Sequence, residues 1–167
     1  VLIMPMHNEV NRAKELATID IISNGRLCLG VGAGARGEDY QAVGAVFGKR
    51  RLSKLEEQIA TMKRVWAGEI VVEGPLRPVE PAPLQPGGPE ILVASLSEPA
   101  IKHVSRWADG LAGFSFAPSI AEINQAFDRA RASWKAAGRE KPPRLVPSFW
   151  FASGLPLITI YSPPSPD

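Results

Sequence analysis

The sequence predicts an α/β fold in which helices cover a parallel sheet. Two observations carry this. Strand-like and helix-like segments alternate along the chain. The strand-like segments are short and apolar throughout, as strands buried on both faces are. With 167 residues, 45% hydrophobic and 22% charged, the chain has the length and composition of one globular domain with a real core.

Val1 to Met4 is an all-apolar run stopped by Pro5, and it reads as the first strand. Val10, Ala13, Ala17 and Ile21 then repeat at helical spacing, and Asn24-Gly25 supplies the stop. Leu27 to Val31 is the second strand, running into a glycine-rich loop with Gly30, Gly32, Gly34 and Gly37. Leu52, Leu55, Ile59, Met62 and Trp66 form the strongest helical stripe, ended by Gly68. Prolines recur from Pro75 to Pro89 and exclude both a helix and a central strand, so this stretch is an extended surface connection. Ile91 to Ala94 is the third strand, and Ser97 caps a helix carrying Ile101, Val104 and Trp107. Asp109-Gly110 turns the chain into a fourth strand, Leu111 to Phe116. Pro118-Ser119 opens a helix with Ile120, Ile123, Phe127, Ala130 and Trp134 on one face and Gly138 at its end. Leu145 to Ala152 is the fifth strand. Residues 1–152 make up the domain, and residues 153–167 form an atypical proline-rich tail.

The net charge is +2, from 19 basic and 17 acidic residues. So small and scattered an excess excludes nucleic acid as a partner. No apolar run approaches the ~20 residues of a membrane helix, so no membrane partner is expected. The N-terminus has no basic region and is not a signal peptide; it reads as a strand entered partway along. Cys28 is the one cysteine and sits in an apolar run. It reads as a small core residue, in a reducing, cytoplasmic compartment. His7 and His103 are the only histidines, and no carboxylate or cysteine cluster has ligand spacing, so no metal is expected.

Two parallel folds compete. Gly32-x-Gly34-x-x-Gly37 satisfies the dinucleotide string after a strand. That fingerprint also needs a helix opening within the loop and an acidic residue ending the next strand ~20 residues on. Here the loop runs through Glu38-Asp39-Tyr40 to Gly44, and Glu56 and Glu57 fall in mid-helix, so it fails on context. The other fold is a (β/α)8 TIM barrel, which in full takes ~250 residues and eight strands. Pattern alone leaves the two level.

Several segments break the tie. Pro5-Met6-His7 followed by Ala13 to Asp20, Ser23 to Leu27, the run Gly30-Val31-Gly32-Ala33-Gly34, Glu38-Asp39-Tyr40 with Gly44, and Arg51, Leu55 and Glu56-Glu57 closed by Trp66 occur in order. Pro86 to Ser97 and Asp109-Gly110 follow. Together they resemble the luciferase-like monooxygenase family, the flavin- and deazaflavin-dependent relatives of bacterial luciferase. The resemblance implies a partial (β/α)8 barrel, about strands 3 to 7, in a fold that is often dimeric, so a homo-oligomer is expected. It implies flavin mononucleotide (FMN) or a deazaflavin (coenzyme F-420), bound where the strands end at the barrel mouth. The partner is a small-molecule substrate.

By that resemblance the cofactor-binding residues are Gly30, Val31, Gly32, Ala33 and Gly34, then Ala94, Ser95, Leu96 and Ser97. Glycines let backbone N–H groups approach a planar ring or phosphate, although they also serve plain tight turns. Bacterial luciferase has an arginine where Ala33 stands, which helps hold the flavin phosphate; its absence leaves room for a deazaflavin. Ser95 and Ser97 offer hydroxyls, with Ser97 also an ordinary N-cap. His7, at the mouth by the same register, is a candidate proton donor, against the blander reading of an exposed loop histidine. His103, Trp66, Trp107 and Trp134 read as structural. The function expected is oxidoreduction, by monooxygenation or hydride transfer, with the cofactor doing the hard chemistry. The alternative is a truncated, non-catalytic fragment of such an enzyme.

Overall fold

The computed structural model describes residues 1–74, 77–95, 97–115 and 119–149. The elements run β1 (Leu2–Ile3), α1 (Glu9–Ile22), β2 (Cys28–Gly32), α2 (Gly37–Ala42), α3 (Arg51–Trp66), β3 (Glu90–Val93), α4 (Glu98–Val104), β4 (Gly110–Ser115), α5 (Ile120–Ala136) and β5 (Arg144–Phe149). The strands form one sheet in the order β1-β2-β3-β4-β5. Every pairing is parallel, with Leu2 opposite Val31, Leu29 opposite Ile91, Leu92 opposite Gly110 and Leu111 opposite Leu145. A doubly wound sheet reverses its strand order at a switch point. This one never reverses, which is the arrangement of a barrel wall.

Alternation along the strands sorts the side chains. Leu29, Val31, Ile91, Val93 and Leu111 join one continuous core with Ala13, Leu16 and Ala17 of α1, Leu55, Ile59 and Met62 of α3, Ile101 and Val104 of α4, and Ala130 and Trp134 of α5. The opposite, inner face carries Gly30, Gly32, Leu92, Ala94, Gly110 and Ala112 by the same alternation.

Local signals explain the long helices. The Asn8 side chain accepts from the Asn11 N–H at 2.9 Å and caps α1. Asn24 (φ 55°) and Gly25 (φ 70°) reverse the chain beyond it. Trp66 at the end of α3 donates from Nε1 to the Ala13 carbonyl at 2.9 Å, tying α3 to α1. Gly88 (φ +97°) lies against that indole: a Cβ there would stand 2.1 Å from Trp66 Cε3, so only glycine fits.

Four expectations change. The first strand is Leu2–Ile3 only, because Pro5 starts a 3-10 turn over Met4–Met6. A helix the sequence hid, α2, opens at Gly37, so that part of the objection to a dinucleotide fold lapses, and the strand order makes the exclusion instead. The fifth strand spans Arg144–Phe149; residues 150–152 and the tail 153–167 lie outside the described residues, as do Phe116 and Pro118. Cys28 is exposed rather than core. Its thiol donates to Glu90 Oε2 at 3.3 Å at the start of the inner face, and Arg144 reaches the same carboxylate across Gly110 of β4. Although the residue is exposed, burial of its sulfur pushes the thiol up to about 11, helped by the hydrogen bond to Glu90 and the carboxylate charge and opposed by Arg144.

The proline-rich connection is fastened by Asp20, fully buried on α1. Its carboxylate accepts from the Gln85 N–H at 3.0 Å and from Gln85 Nε2 at 2.7 Å. Burial alone would raise its pKa, but the bonds from Gln85, with those from the Leu84 and Leu27 backbone, outweigh it and hold it below the usual carboxylate value.

Three outcomes are expected. Among the described residues β1 and β5 each pair on one side only. Unpaired apolar edges associate, so sedimentation of the 167-residue chain should show assemblies; a sharply melting monomer would contradict this. Asp20→Ala should cost about 2 kcal/mol and speed exchange of the Gln85 amide by roughly thirtyfold. Because the folded carboxyl titrates lower than the unfolded one, its contribution holds above about pH 4 and is lost as pH falls further. For Cys28, iodoacetamide alkylation should be slow at pH 8 and climb about tenfold per pH unit toward pH 11. Glu90→Gln should accelerate the pH 8 rate; an unchanged rate would show that the carboxylate does not control the thiol.

Candidate functional site

Parallel pairing of β2 with β3 brings the two predicted loops side by side. The Ala94 N–H donates to the Val31 carbonyl at 2.7 Å, and a Cβ at Gly32 would stand 3.9 Å from that of Ala94. Gly30, Val31 and Gly32 are in β2, with Ala33 and Gly34 just past its end; Ala94, Ser95 and Ser97 follow β3, and Leu96 lies outside the described residues. Parity separates them. The Val31 side chain is buried in the core, so only its backbone faces the loops. Gly32 faces inward, where a Cβ would stand 3.1 Å from Val1 Cγ1 and 3.5 Å from Ile3 Cδ1. Gly34 (φ +66°) is glycine for a packing reason, since a Cβ would come within 2.8 Å of Ile3 Cγ2.

Beyond β3, the Ser95 and Ser97 hydroxyls lie 3.3 Å apart, and the Ser97 N–H donates to Ser95 Oγ at 3.4 Å. Ser97 occupies the N-cap of α4 but its side chain makes no capping bond, contrary to the plain N-cap expectation. Pro99 removes a further donor from the first turn of this seven-residue helix.

The loop after β2 is held by a residue the sequence did not single out. Tyr40, fully buried on α2, donates from its hydroxyl to the Ala33 carbonyl at 2.6 Å. Burial raises its pKa, against the opposing Arg51 charge, so it stays a donor. Phe47 meets the Tyr40 ring edge-on at 5.2 Å between centroids, and the Arg51 guanidinium sits 3.9 Å over Phe47. Arg51 also donates to the Gly48 carbonyl at 2.7 Å. Only the aromatic at Tyr40, framed by Gly37 and Gly44, hinted at this in the sequence. Glu38 is exposed, and Asp39 accepts from Arg36 at 3.0 Å.

His7 sits just past β1, half-buried. Its Nδ1 lies 3.1 Å from Arg12 Nη2, and its carbonyl accepts from Gln58 Nε2 at 2.8 Å. Burial first, then the Arg12 charge, hold the imidazole below its ordinary value, with Glu15 opposing. His103 is remote from these loops: on α4 it stands 2.8 Å from Glu56 Oε2 of α3, a cross-link between helices. Trp66 and Trp134 are buried, and Trp107 packs against the core.

Among the grooves on the described surface are two that neither the glycine loop nor Ser95 and Ser97 line. One, of about 610 Å³, lies between α4 and α5 against Lys102, His103 and Arg106. The other, of about 570 Å³, lies between the start of α1 and the proline-rich connection. Among the described residues no helix is long and apolar enough to cross a membrane.

The sequence profile of the luciferase-like monooxygenase family matches residues 1–154. An uncharacterised protein of Mycobacterium tuberculosis is 32% identical over 147 residues, covering 84% of this chain and 50% of that protein. A phthiodiolone/phenolphthiodiolone dimycocerosates ketoreductase from a Mycobacterium species is 30% identical over 149 residues, covering 84% of this chain and 38% of its own length. The chain thus spans at most about half the length of these curated relatives. Among solved structures, the oxygenating constituent of 3,6-diketocamphane monooxygenase from Pseudomonas putida, a type II Baeyer-Villiger monooxygenase in complex with FMN, superposes with a TM-score of 0.66 at 18% identity. That match covers 83% of this chain and 43% of the other. It shows the fold: the five-stranded sheet is part of a (β/α)8 barrel.

Proposed function

The chain belongs to the luciferase-like monooxygenase family, and from that membership we propose that it forms part of an oxidoreductase acting on a small molecule with a reduced flavin or deazaflavin. We place the cofactor where β1, β2 and β3 end. The observation that carries this is the approach of Val31 and Gly32 to Ala94 at adjacent strand ends, with Ala33 and Gly34 following one and Ser95 the other. Gly32, bordered by the Val1 and Ile3 side chains, offers backbone without a Cβ, and Ser95 and Ser97 offer hydroxyls to a phosphate. Bound there, a reduced flavin supplies electrons for oxygen insertion, and a reduced deazaflavin supplies hydride. The chain's own residues position the ring, and Tyr40 keeps the Ala33 loop in place.

One observation favours the deazaflavin, coenzyme F-420, over FMN. Ala33 offers no charge to a flavin phosphate. Of the relatives, one at 30% identity is named as a ketoreductase and one at 34% as a flavin-dependent monooxygenase, so both chemistries stay in view. The whole protein is proposed to work as a cytoplasmic homo-oligomer without nucleic-acid or membrane partners. The second reading is a truncated, non-catalytic fragment of such an enzyme.

The test is a fluorescence titration of FMN and coenzyme F-420 against a chimera in which a relative supplies the remaining barrel strands. The deazaflavin should bind more tightly. Ala33→Arg should tighten FMN about tenfold or more, the worth of one charged hydrogen bond at ~1.5–3 kcal/mol. Gly32→Val should weaken both. Tighter FMN binding by the parent would reverse the cofactor choice, and no binding of either would favour the fragment.

A further inference from the structure

We propose that the groove between α4 and α5 is a second ligand site, away from the strand ends, and that it takes an organic phosphate: a doubly charged head on an apolar body. Glu98 at the start of α4 stands 4.0 Å from Arg129, midway along α5. Beyond that contact the two helices flank a groove of about 610 Å³. The α5 wall consists of Ala132, Ser133, Ala136 and Ala137, side chains too short to close it. Clefts of ~300–1,000 Å³ hold small organic ligands. The space therefore exceeds what a bare inorganic anion needs.

The α4 wall decides the charge. Lys102, near the end of α4, and Arg106, just past it, both line the groove, and no carboxylate does. The carboxylates nearby are already matched: Glu56 with His103 at 2.8 Å, Glu98 with Arg129, and Asp109 with Arg139 at 3.9 Å. Lys102 and Arg106 are exposed, and among the described residues neither is paired with a carboxylate. The guanidinium is nevertheless held. Arg106 Nε donates to the His103 carbonyl at 3.3 Å, and Nη2 lies 3.2 Å from His103 Nδ1. Nη1 keeps its donors for a ligand. A fixed guanidinium beside an ammonium suits the oxygens of a phosphate. Ser133 adds a hydroxyl from the other wall, and the methyl groups of Ala132 and Ala136 suit an apolar body.

The experiment is equilibrium dialysis of naphthyl phosphate against the 167-residue chain, which reads soluble and assembled protein alike. Naphthyl phosphate should bind about tenfold or more tightly than inorganic phosphate, which lacks the apolar body, or naphthylmethanol, which lacks the charge. Lys102→Gln and Arg106→Gln should each weaken it by about threefold, since exposed charges are screened. Both cations also complement the C-terminal end of α4, so a third variant locates the ligand. Ala136→Trp keeps every charge, fills the groove from an exposed position, and should weaken binding about tenfold or more. Binding by Ala136→Trp like the parent's overturns the site. Inorganic phosphate binding as tightly as naphthyl phosphate means an adventitious ion only, and naphthylmethanol binding as tightly means an uncharged apolar surface; either result overturns the ligand class. No binding of naphthyl phosphate by the parent overturns the proposal outright, and leaves the cofactor reading untouched.

Discussion

Parallel pairing of β2 with β3 is the constraint on which the rest of the molecule depends. It fixes a register, Leu29 opposite Ile91 and Val31 opposite Val93, and register fixes parity. Parity sends those four side chains into the helical core and turns Gly30, Gly32 and Leu92 to the other face. The same pairing sets the loops after Gly32 and Val93 against each other. Core and candidate site are therefore two consequences of one alignment, and a slip of one residue would exchange them.

Much of this was legible in the sequence. The stripe from Leu55 to Trp66 and the one from Phe127 to Trp134 repeat at 3.6 residues, and each ends at a glycine. What escaped did so for physical reasons. The α2 helix buries a single side chain, Tyr40, and one residue makes no period. Cys28 looked like core because its neighbours are apolar, yet strict alternation from Leu29 and Val31 puts it on the inner face. Its partner Glu90 is 62 positions away and Arg144 is 116, pairings that only the folded sheet creates.

The candidate site was legible to the level of segments and not of side chains. The loops follow strands, and strand ends at a barrel mouth are where ligands bind. Which residues face the mouth is a matter of parity, so Val31 fell to the core. Which are fixed by packing is a matter of neighbours, so Gly34 answers to Ile3 and Tyr40. His7 was visible as a histidine, while its neighbours, Arg12 beside the ring and Gln58 at its carbonyl, come from two different helices.

The unreversed strand order has a consequence for how the chain acquires its shape. Each strand pairs with the one before it, so structure can grow outward from the first units as they emerge, with little need for late, distant partners. One closure stands apart. Between β2 and β3 the chain leaves the sheet for two helices and the proline-rich connection before Glu90 returns beside Cys28. Closing so long a loop carries the largest entropic cost in the assembly. Asp20 meets Gln85 shortly before that return. In the folded chain that contact anchors the connection just before Glu90, so a buried carboxylate on the first helix holds the approach of the third strand to the second.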